Sequence, residues 1–512
     1  MLAFFKHKNS KVLSMLSMLV LGIGASSIFP PFNQALIGYI CLFLFFTYVF
    51  NLNKIDKKAF FYCYLFGFSF FAVGFSWVCN ALLVDEEEFR AYVPVVFIAM
   101  GLFFSLFISI PLFLVKFGKN IYAKGIIWCL GIVLFEWIRS FIFTGFPWNL
   151  FGSALSIDVR LIQGAGVVGC YGLSLMLLLF ITGFSILFLG WVKKKNYKGG
   201  LYFIIIPLVF FSLFWFNKKD YVDGDLKVRL VQPAIPQMLK WNNDMLYQHF
   251  RSYIDLSKSK PLDGVDLVVW GETATPYPLD FDKRRLEEIT EAIDKDGFLI
   301  TGLIRFGLEQ GEYVSYNSMF AIDGNGIIKD YYDKAHLVPF GEYMPFKEYL
   351  PDFMKPVADV VGNLKKGEKF KNIKVKGLPL MGGAICYESI FPKGVINPID
   401  KPDILVVLAN DGWYGMSAGP YQHLAATQMR AVEEGVTVIR SANTGISAVI
   451  RPNGDVIGAI NLGEKGISDV LLPNVLSVNT IYGKYGNFVL LICMFVGLVL
   501  VIYLNKYTKE DK

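Results

Sequence analysis

Eight apolar runs, each near the ~20 residues a helix needs to cross a bilayer, constrain this chain more than any other feature. They fall at about 12–29, 35–52, 59–80, 92–117, 121–139, 167–191, 201–216 and 488–504. Lipid offers the backbone no hydrogen-bonding partner, so runs of this length fold as helices. A mean hydropathy of +0.46 and 47 Phe among 512 residues agree with residence in lipid. "GASS" at the end of the first run resembles a signal-peptidase site, but the spans that follow at once favour its retention as a membrane helix. The chain divides accordingly into a seven-helix transmembrane domain at 1–217, a polar domain at 218–485 and a final transmembrane helix with a tail at 486–512.

Positive charge stays on the cytoplasmic side of a membrane, and here the lysines alternate from loop to loop. Lys6, Lys8 and Lys11, then Lys54, Lys57 and Lys58, then Lys116, Lys119 and Lys124, then Lys193–Lys195 and Lys198, and finally Lys506, Lys509 and Lys512 mark one side. The intervening loops carry only Arg90, Arg139 and Arg160, the first beside Asp85 and Glu86–Glu88. Both termini are therefore expected in the cytoplasm, and seven crossings deliver 218–485 to the outer face. The net charge of +6 resides in these short clusters. No basic stripe marks a nucleic-acid binder.

Of seven cysteines, only Cys386 lies in the polar region. It is either a reactive thiol or a small buried hydrophobe. His7, His249, His336 and His423 show no metal-ligand spacing, so neither a metal nor a cofactor is expected. The segment "GFPWNLFG" at 145–152, with "LIQGAGVVGCYGLS" at 161–174, is aromatic and Gly-rich between two spans. It is expected either to re-enter or line a cavity, or to form an interfacial loop anchored by Phe146 and Trp148.

The polar region alternates strands with amphipathic stretches such as 281–296 and 420–434, the pattern of an α/β layered domain. "DGNG" and "PNGD" read as hairpin turns. Glu272 follows the strand "DLVVWG", Lys334 follows "IIKDYYD", and Cys386 follows "LPLMGGAI". Strand ends on one sheet edge converge, and a carboxylate, an ammonium and a thiol are the parts of acyl transfer: base, fixed cation and nucleophile. Gly382 and Gly383 are expected to supply unusual backbone conformations for a sharp strand-to-helix turn presenting Cys386.

"WGETATPYP", "YDKAHLVPFGEYMP" and "GGAICYESIFP", in this order, resemble the Glu–Lys–Cys signature of the carbon–nitrogen hydrolase (nitrilase) superfamily. The "VPFGEYMP" segment, the spans on either side, "FPWNLFG", "VQPAIPQMLKW", "ANDGWYG" and "RSANTGISAVIRPNGD" look like its membrane-embedded branch, the apolipoprotein N-acyltransferases. The resemblance implies a nitrilase-like αββα sandwich joined to a polytopic helical domain. It implies Glu272 as general base, Lys334 as partner of the tetrahedral intermediate and Cys386 as the acylated nucleophile. Glu342 would be an accessory carboxylate, and Tyr387, Glu388, Trp241 and Trp413 match positions near the family's site. Gly271 stands where the family usually has Pro, a departure expected to loosen that turn.

The resemblance further implies a reaction in the bacterial inner membrane. A phospholipid donates its acyl chain to Cys386, and the thioester passes it to the amino group of a diacylglyceryl lipoprotein precursor. The partners are membrane lipids and lipoproteins, not nucleic acid, and a monomer is expected. A membrane-tethered amidase or other hydrolase would use the same three residues with water as acceptor. Residues 342–361 are expected to form either a mobile lid or lipid-dipping arm, or a packed surface loop.

Overall fold

A computed structural model describes residues 11–84, 89–345 and 363–507. Residues 346–361 of the expected lid lie outside them. The chain separates into two units: 1–218 with 417–425 and 485–512, and 219–416 with 426–484. Assignment of 417–425 to the first unit is unexpected from the sequence, which puts that segment inside the polar region.

The first unit is helical, and an apolar helix occupies each of the eight runs. Among the described residues four are long and apolar enough to cross a membrane: Arg90–Phe117, Ile121–Arg139, Ala165–Lys193 and Phe488–Lys506. A fifth arises if Lys57–Gly74 and Ser76–Leu83, bent by 45°, form one span. Lys11–Ser26, Ala35–Phe50 and Gly200–Trp215 have 16 residues each. At 1.5 Å per residue the described part of each covers ~24 Å, against a ~30 Å hydrocarbon core. Between apolar helices in lipid there is little hydrophobic drive, so close backbone approach and ring packing hold the bundle. A Cβ at Gly22 would stand 2.3 Å from the Phe66 carbonyl oxygen, and Phe45 stacks on Phe66 at 3.6 Å.

"GFPWNLFG" packs inside this unit. Trp148, Leu150 and Phe151 are buried. Glu136 accepts from the Phe151 N–H (2.7 Å), and Ser174 from the Gly152 N–H (2.7 Å). Trp148 and Trp77 both donate to Gln422 Oε1 at 2.9 Å. Of the two expectations, the interfacial loop gives way to a segment folded back among the helices. Non-helical backbone is tolerated there because protein groups satisfy its N–H donors.

The second unit is an αββα sandwich of two six-stranded sheets. The first holds β1 (Asp223–Gln232), β2 (Leu267–Val269), β3 (Phe298–Glu309), β4 (Glu312–Asp323), β5 (Ile328–Asp333) and β12 (Gly466–Pro473), in the order β12-β1-β2-β3-β4-β5. The second holds β6 (Asn372–Ile373), β7 (Met381–Ile385), β8 (Ile404–Ala409), β9 (Thr437–Ala442), β10 (Ser447–Ile450) and β11 (Val456–Ile460), in the order β11-β10-β9-β8-β7-β6. Each sheet has three consecutive parallel strands, β1-β2-β3 or β7-β8-β9, flanked by antiparallel ones.

Strand periodicity builds the layers. Val228, Leu230, Leu267, Val269, Ile300 and Met319 join Ile385, Val406, Ile439 and Val449 in the core between the sheets. The alternate residues Val231, Val268, Trp270, Leu299 and Phe320 meet Phe250, Tyr253 and Ile289 from the helices Leu246–Ser257 and Lys283–Ile289. Each such aliphatic side chain stabilises the fold by ~1.5–3 kcal/mol relative to exposure. Arg229, fully buried on β1, is paired with Asp469 at 2.6 Å and donates to the carbonyls of Ser257, Lys260 and Pro261.

Candidate active site

Glu272, Lys334 and Cys386 each stand just beyond the C-terminal end of a strand, respectively β2, β5 and β7. Lys334 is 1% exposed, and its Nζ lies 3.0 Å from Glu342 and 3.7 Å from Glu272 Oε1. Asn317, in the middle of β4, ties the two carboxylates together, donating to Glu272 Oε1 (2.8 Å) and Glu342 Oε1 (2.9 Å). The second Glu342 oxygen accepts from the Val338 N–H at 2.8 Å. Burial opposes charge on Lys334, but Glu342 and Glu272 outweigh it and hold the amine well above its ordinary value. A permanent ammonium therefore faces two carboxylates.

Cys386 opens the 3₁₀ turn Cys386–Ile390 and is 5% exposed. Its φ is +52°, a left-handed conformation costly for a non-glycine residue. The expectation for the glycines before it is corrected. Gly382 and Gly383 lie inside β7 at ordinary strand angles. A Cβ on Gly383 would stand 2.6 Å from the Tyr332 ring, and one on Gly382 2.9 Å from Pro402. They permit close packing, and the strain falls on the cysteine itself. Burial pushes the Cys386 thiol up, the Glu272 charge adds to this, and Lys334 and the Asn410 N–H oppose it. At rest the sulfur keeps its proton, so attack on a substrate requires a base.

Glu388 joins the two sheets behind the reacting groups. Its carboxylate accepts from Tyr332 Oη (2.9 Å), the N–H groups of Ala335 and His336 (2.9 Å each) and the Ile385 N–H (2.7 Å). Burial raises its pKa, while the Ile385 N–H, Lys334, the His336 N–H and the Tyr332 hydroxyl counteract the rise. Glu388 thus binds the residues following Lys334 to the residue preceding Cys386. Tyr387 is buried against His336 and Phe391. Trp241 and Trp413 are half-exposed side chains, at 49% and 41%.

Gly271 also departs from expectation. A Cβ there would stand 2.7 Å from the Asn443 nitrogen, so the turn before Glu272 is tightly packed, not loosened. Three polar residues of the site escaped the sequence reading: Asn317, Asn410 and Lys240, which is buried with its Nζ 2.9 Å from the Glu272 carbonyl oxygen. Asn317 had one legible signal, a carboxamide in the middle of a strand that ends in the apolar run 319–322. Lys240 had none, since a lysine beside tryptophan in a loop reads as solvated.

A thiol, a carboxylate able to take its proton and a fixed ammonium for an oxyanion can form and resolve a covalent acyl intermediate. Residues 227–478 match the family model Carbon-nitrogen hydrolase, and 21–183 match Apolipoprotein N-acyltransferase N-terminal domain. The chain is 35% identical over 500 residues to the apolipoprotein N-acyltransferase of Rickettsia typhi, covering 96% of this chain and 98% of that one. Those of Brucella melitensis and Rhodopseudomonas palustris are 35% and 32% identical, covering 80% and 82% of this chain and 79% and 81% of their own. The crystal structure of Saccharomyces cerevisiae Nit3, a member of branch 10 of the nitrilase superfamily, aligns at 20% identity with a TM-score of 0.34, covering 49% of this chain and 91% of its own. By its identity to these relatives over most of its length, the chain belongs to the apolipoprotein N-acyltransferase family, acyltransferases built on a nitrilase-type domain.

Proposed function

We propose that this chain N-acylates the N-terminal S-diacylglyceryl cysteine of lipoproteins, taking the acyl chain from a phospholipid through a thioester on Cys386. The observation that carries the reading is the buried Lys334 ammonium set between Glu272 and Glu342 in the surroundings of the Cys386 thiol. In the first half-reaction Glu272 takes the thiol proton as Sγ attacks the ester carbonyl. Lys334 faces the negative charge that develops on the carbonyl oxygen. The C–O bond breaks, and the proton passes from Glu272 to the departing lysophospholipid oxygen. In the second half-reaction the lipoprotein amine attacks the thioester, Glu272 receives a proton from nitrogen, and the C–S bond breaks. The sulfur then regains the proton and the enzyme is restored.

Glu342 keeps Lys334 aimed and charged, and Glu388 holds the Lys334 and Cys386 segments in register. Tyr387, Trp241 and Trp413 form the surroundings in which substrate is received. The domain order is 1–217 in the membrane, 218–485 on the outer face of the bacterial inner membrane and 486–512 returning, with both termini cytoplasmic and a monomer as the working unit. Intact-protein mass spectrometry tests the intermediate. Protein purified from membranes should carry one added acyl chain, removable by hydroxylamine and absent from Cys386→Ala. An adduct that survives hydroxylamine, or appears in the alanine variant, would overturn the thioester.

A further inference from the structure

Lys240 is a second buried lysine at the site, and none of the chemistry above uses it. It is 5% exposed, and its Nζ donates to the Glu272 carbonyl oxygen at 2.9 Å and to Thr273 Oγ1 at 2.6 Å. These acceptors belong to the turn that carries the base, and that turn is strained: Thr273 has φ +46°. It is also pressed against β3, where a Cβ on Gly302 would stand 2.5 Å from the Thr273 nitrogen. A left-handed threonine persists only where its surroundings over-determine it. The Lys240 ammonium supplies two of the bonds that do so.

Charge balance makes a second, independent case. Glu272 is a buried carboxylate and Glu342 a part-buried one, and Lys334 offsets one of the two charges. Lys240 supplies the other positive charge, within electrostatic reach of both Glu272 and Cys386. When the thiol proton moves to Glu272, negative charge leaves the carboxylate and arises on sulfur, and a fixed cation within reach of the sulfur stabilises the thiolate without moving.

We propose that Lys240 is a positioning residue for the acyl-transfer chemistry: its side chain clamps the Glu272–Thr273 turn and sets a fixed positive charge within electrostatic reach of the Cys386 sulfur. The inference rests on the reading of Glu272 as base and Cys386 as nucleophile. It carries a signature that a packing role lacks. Burial pulls the Lys240 amine down to about 8, while Glu272 and Cys386 hold it up; His249, hydrogen-bonded to the Lys240 backbone, is the other titratable group acting here. The ammonium is therefore present below about pH 8 and lost above it.

The test measures acyl-enzyme formation by intact mass in the full-length protein, from pH 6 to 10, with vesicles of phosphatidylethanolamine and phosphatidylglycerol as donor. The wild type should hold a plateau and then slow as Lys240 discharges. Lys240→Met should be slower by roughly a hundredfold at pH 7, the usual scale for losing a fixed charge from a transition state, and its profile should be flat through pH 8. Thr273→Val keeps the charge but removes one acceptor, so its falling limb should move to lower pH. That variant decides the matter if Lys240→Met does not fold. Acylation by Lys240→Met within threefold of wild type, a wild-type limb retained in it, or an unmoved limb in Thr273→Val would overturn the proposal. Failure of the wild type itself to acylate would instead remove the thioester reading beneath it.

Discussion

Removing the Glu388 carboxylate separates a structural role from a chemical one. In Glu388→Ala, the buried N–H group of Ile385 and the part-buried ones of Ala335 and His336 lose their acceptor, together with the buried Tyr332 hydroxyl. An orphaned buried donor costs about 1–3 kcal/mol, and relaxation around a broken buried network brings the expected total to roughly 3–5 kcal/mol. For a domain of this size that corresponds to a fall of roughly 6–20 °C in apparent Tm. Glu388→Gln keeps the shape and one acceptor oxygen but turns an NH₂ group towards a donor, so it should lose part of that stability and slow acylation by about tenfold. Differential scanning fluorimetry in detergent gives Tm, and intact mass gives the acylation rate. Complete loss of acylation by Glu388→Gln at unchanged Tm would make Glu388 a proton carrier, and an unchanged Tm in Glu388→Ala would refute the network.

Three further outcomes are expected. Glu272→Gln should slow acylation of Cys386 by ~10²–10⁴-fold, the usual reach of general-base catalysis, with Tm near wild type; near-normal acylation would remove Glu272 from the mechanism. Gly383→Ala drives a methyl group into the Tyr332 ring and should cost ~1–3 kcal/mol by overpacking, read as a lower Tm. Topology is best read at Ile399, 96% exposed, because Cys386 itself is buried. Ile399→Cys in a Cys386→Ala background should react with an impermeant maleimide on intact spheroplasts. Labelling only after permeabilisation would place 218–485 in the cytoplasm.

What the sequence made legible follows from how local each signal is. The strands before Glu272 and Cys386 are short apolar runs, that before Lys334 is a Tyr-containing stretch following a hairpin turn, and each appears where the pattern puts it. The "DGNG" and "PNGD" turns close β4-β5 and β10-β11, with Gly326 and Gly454 at positive φ. β12 and the helix Leu246–Ser257 went unread. "GISDVLLP" mixes polar and apolar residues without strict alternation, because Asp469 turns towards buried Arg229. The matching order of the two sheets is likewise invisible in sequence, since strands with common topology share no residue pattern. The folded-back segment at 145–152 left its alternatives open for a related reason: its partners Glu136, Ser174 and Gln422 are remote in the chain. At the site, residues whose chemistry is intrinsic were found, whereas Asn317 and Lys240 matter only through neighbours that folding brings to them.

In the proposed mechanism an amine, not water, resolves the Cys386 thioester, and one time course separates the two acceptors. Purified protein is mixed with labelled phospholipid, and a diacylglyceryl-cysteine peptide is added only in the second half of the reaction. Transfer to the amine gives a burst of lysophospholipid that stops near one per enzyme, then resumes on peptide addition, with label appearing as N-acylated peptide. Steady release of free fatty acid before the peptide is present, unchanged by its addition, would contradict the account and make the protein a membrane-bound hydrolase.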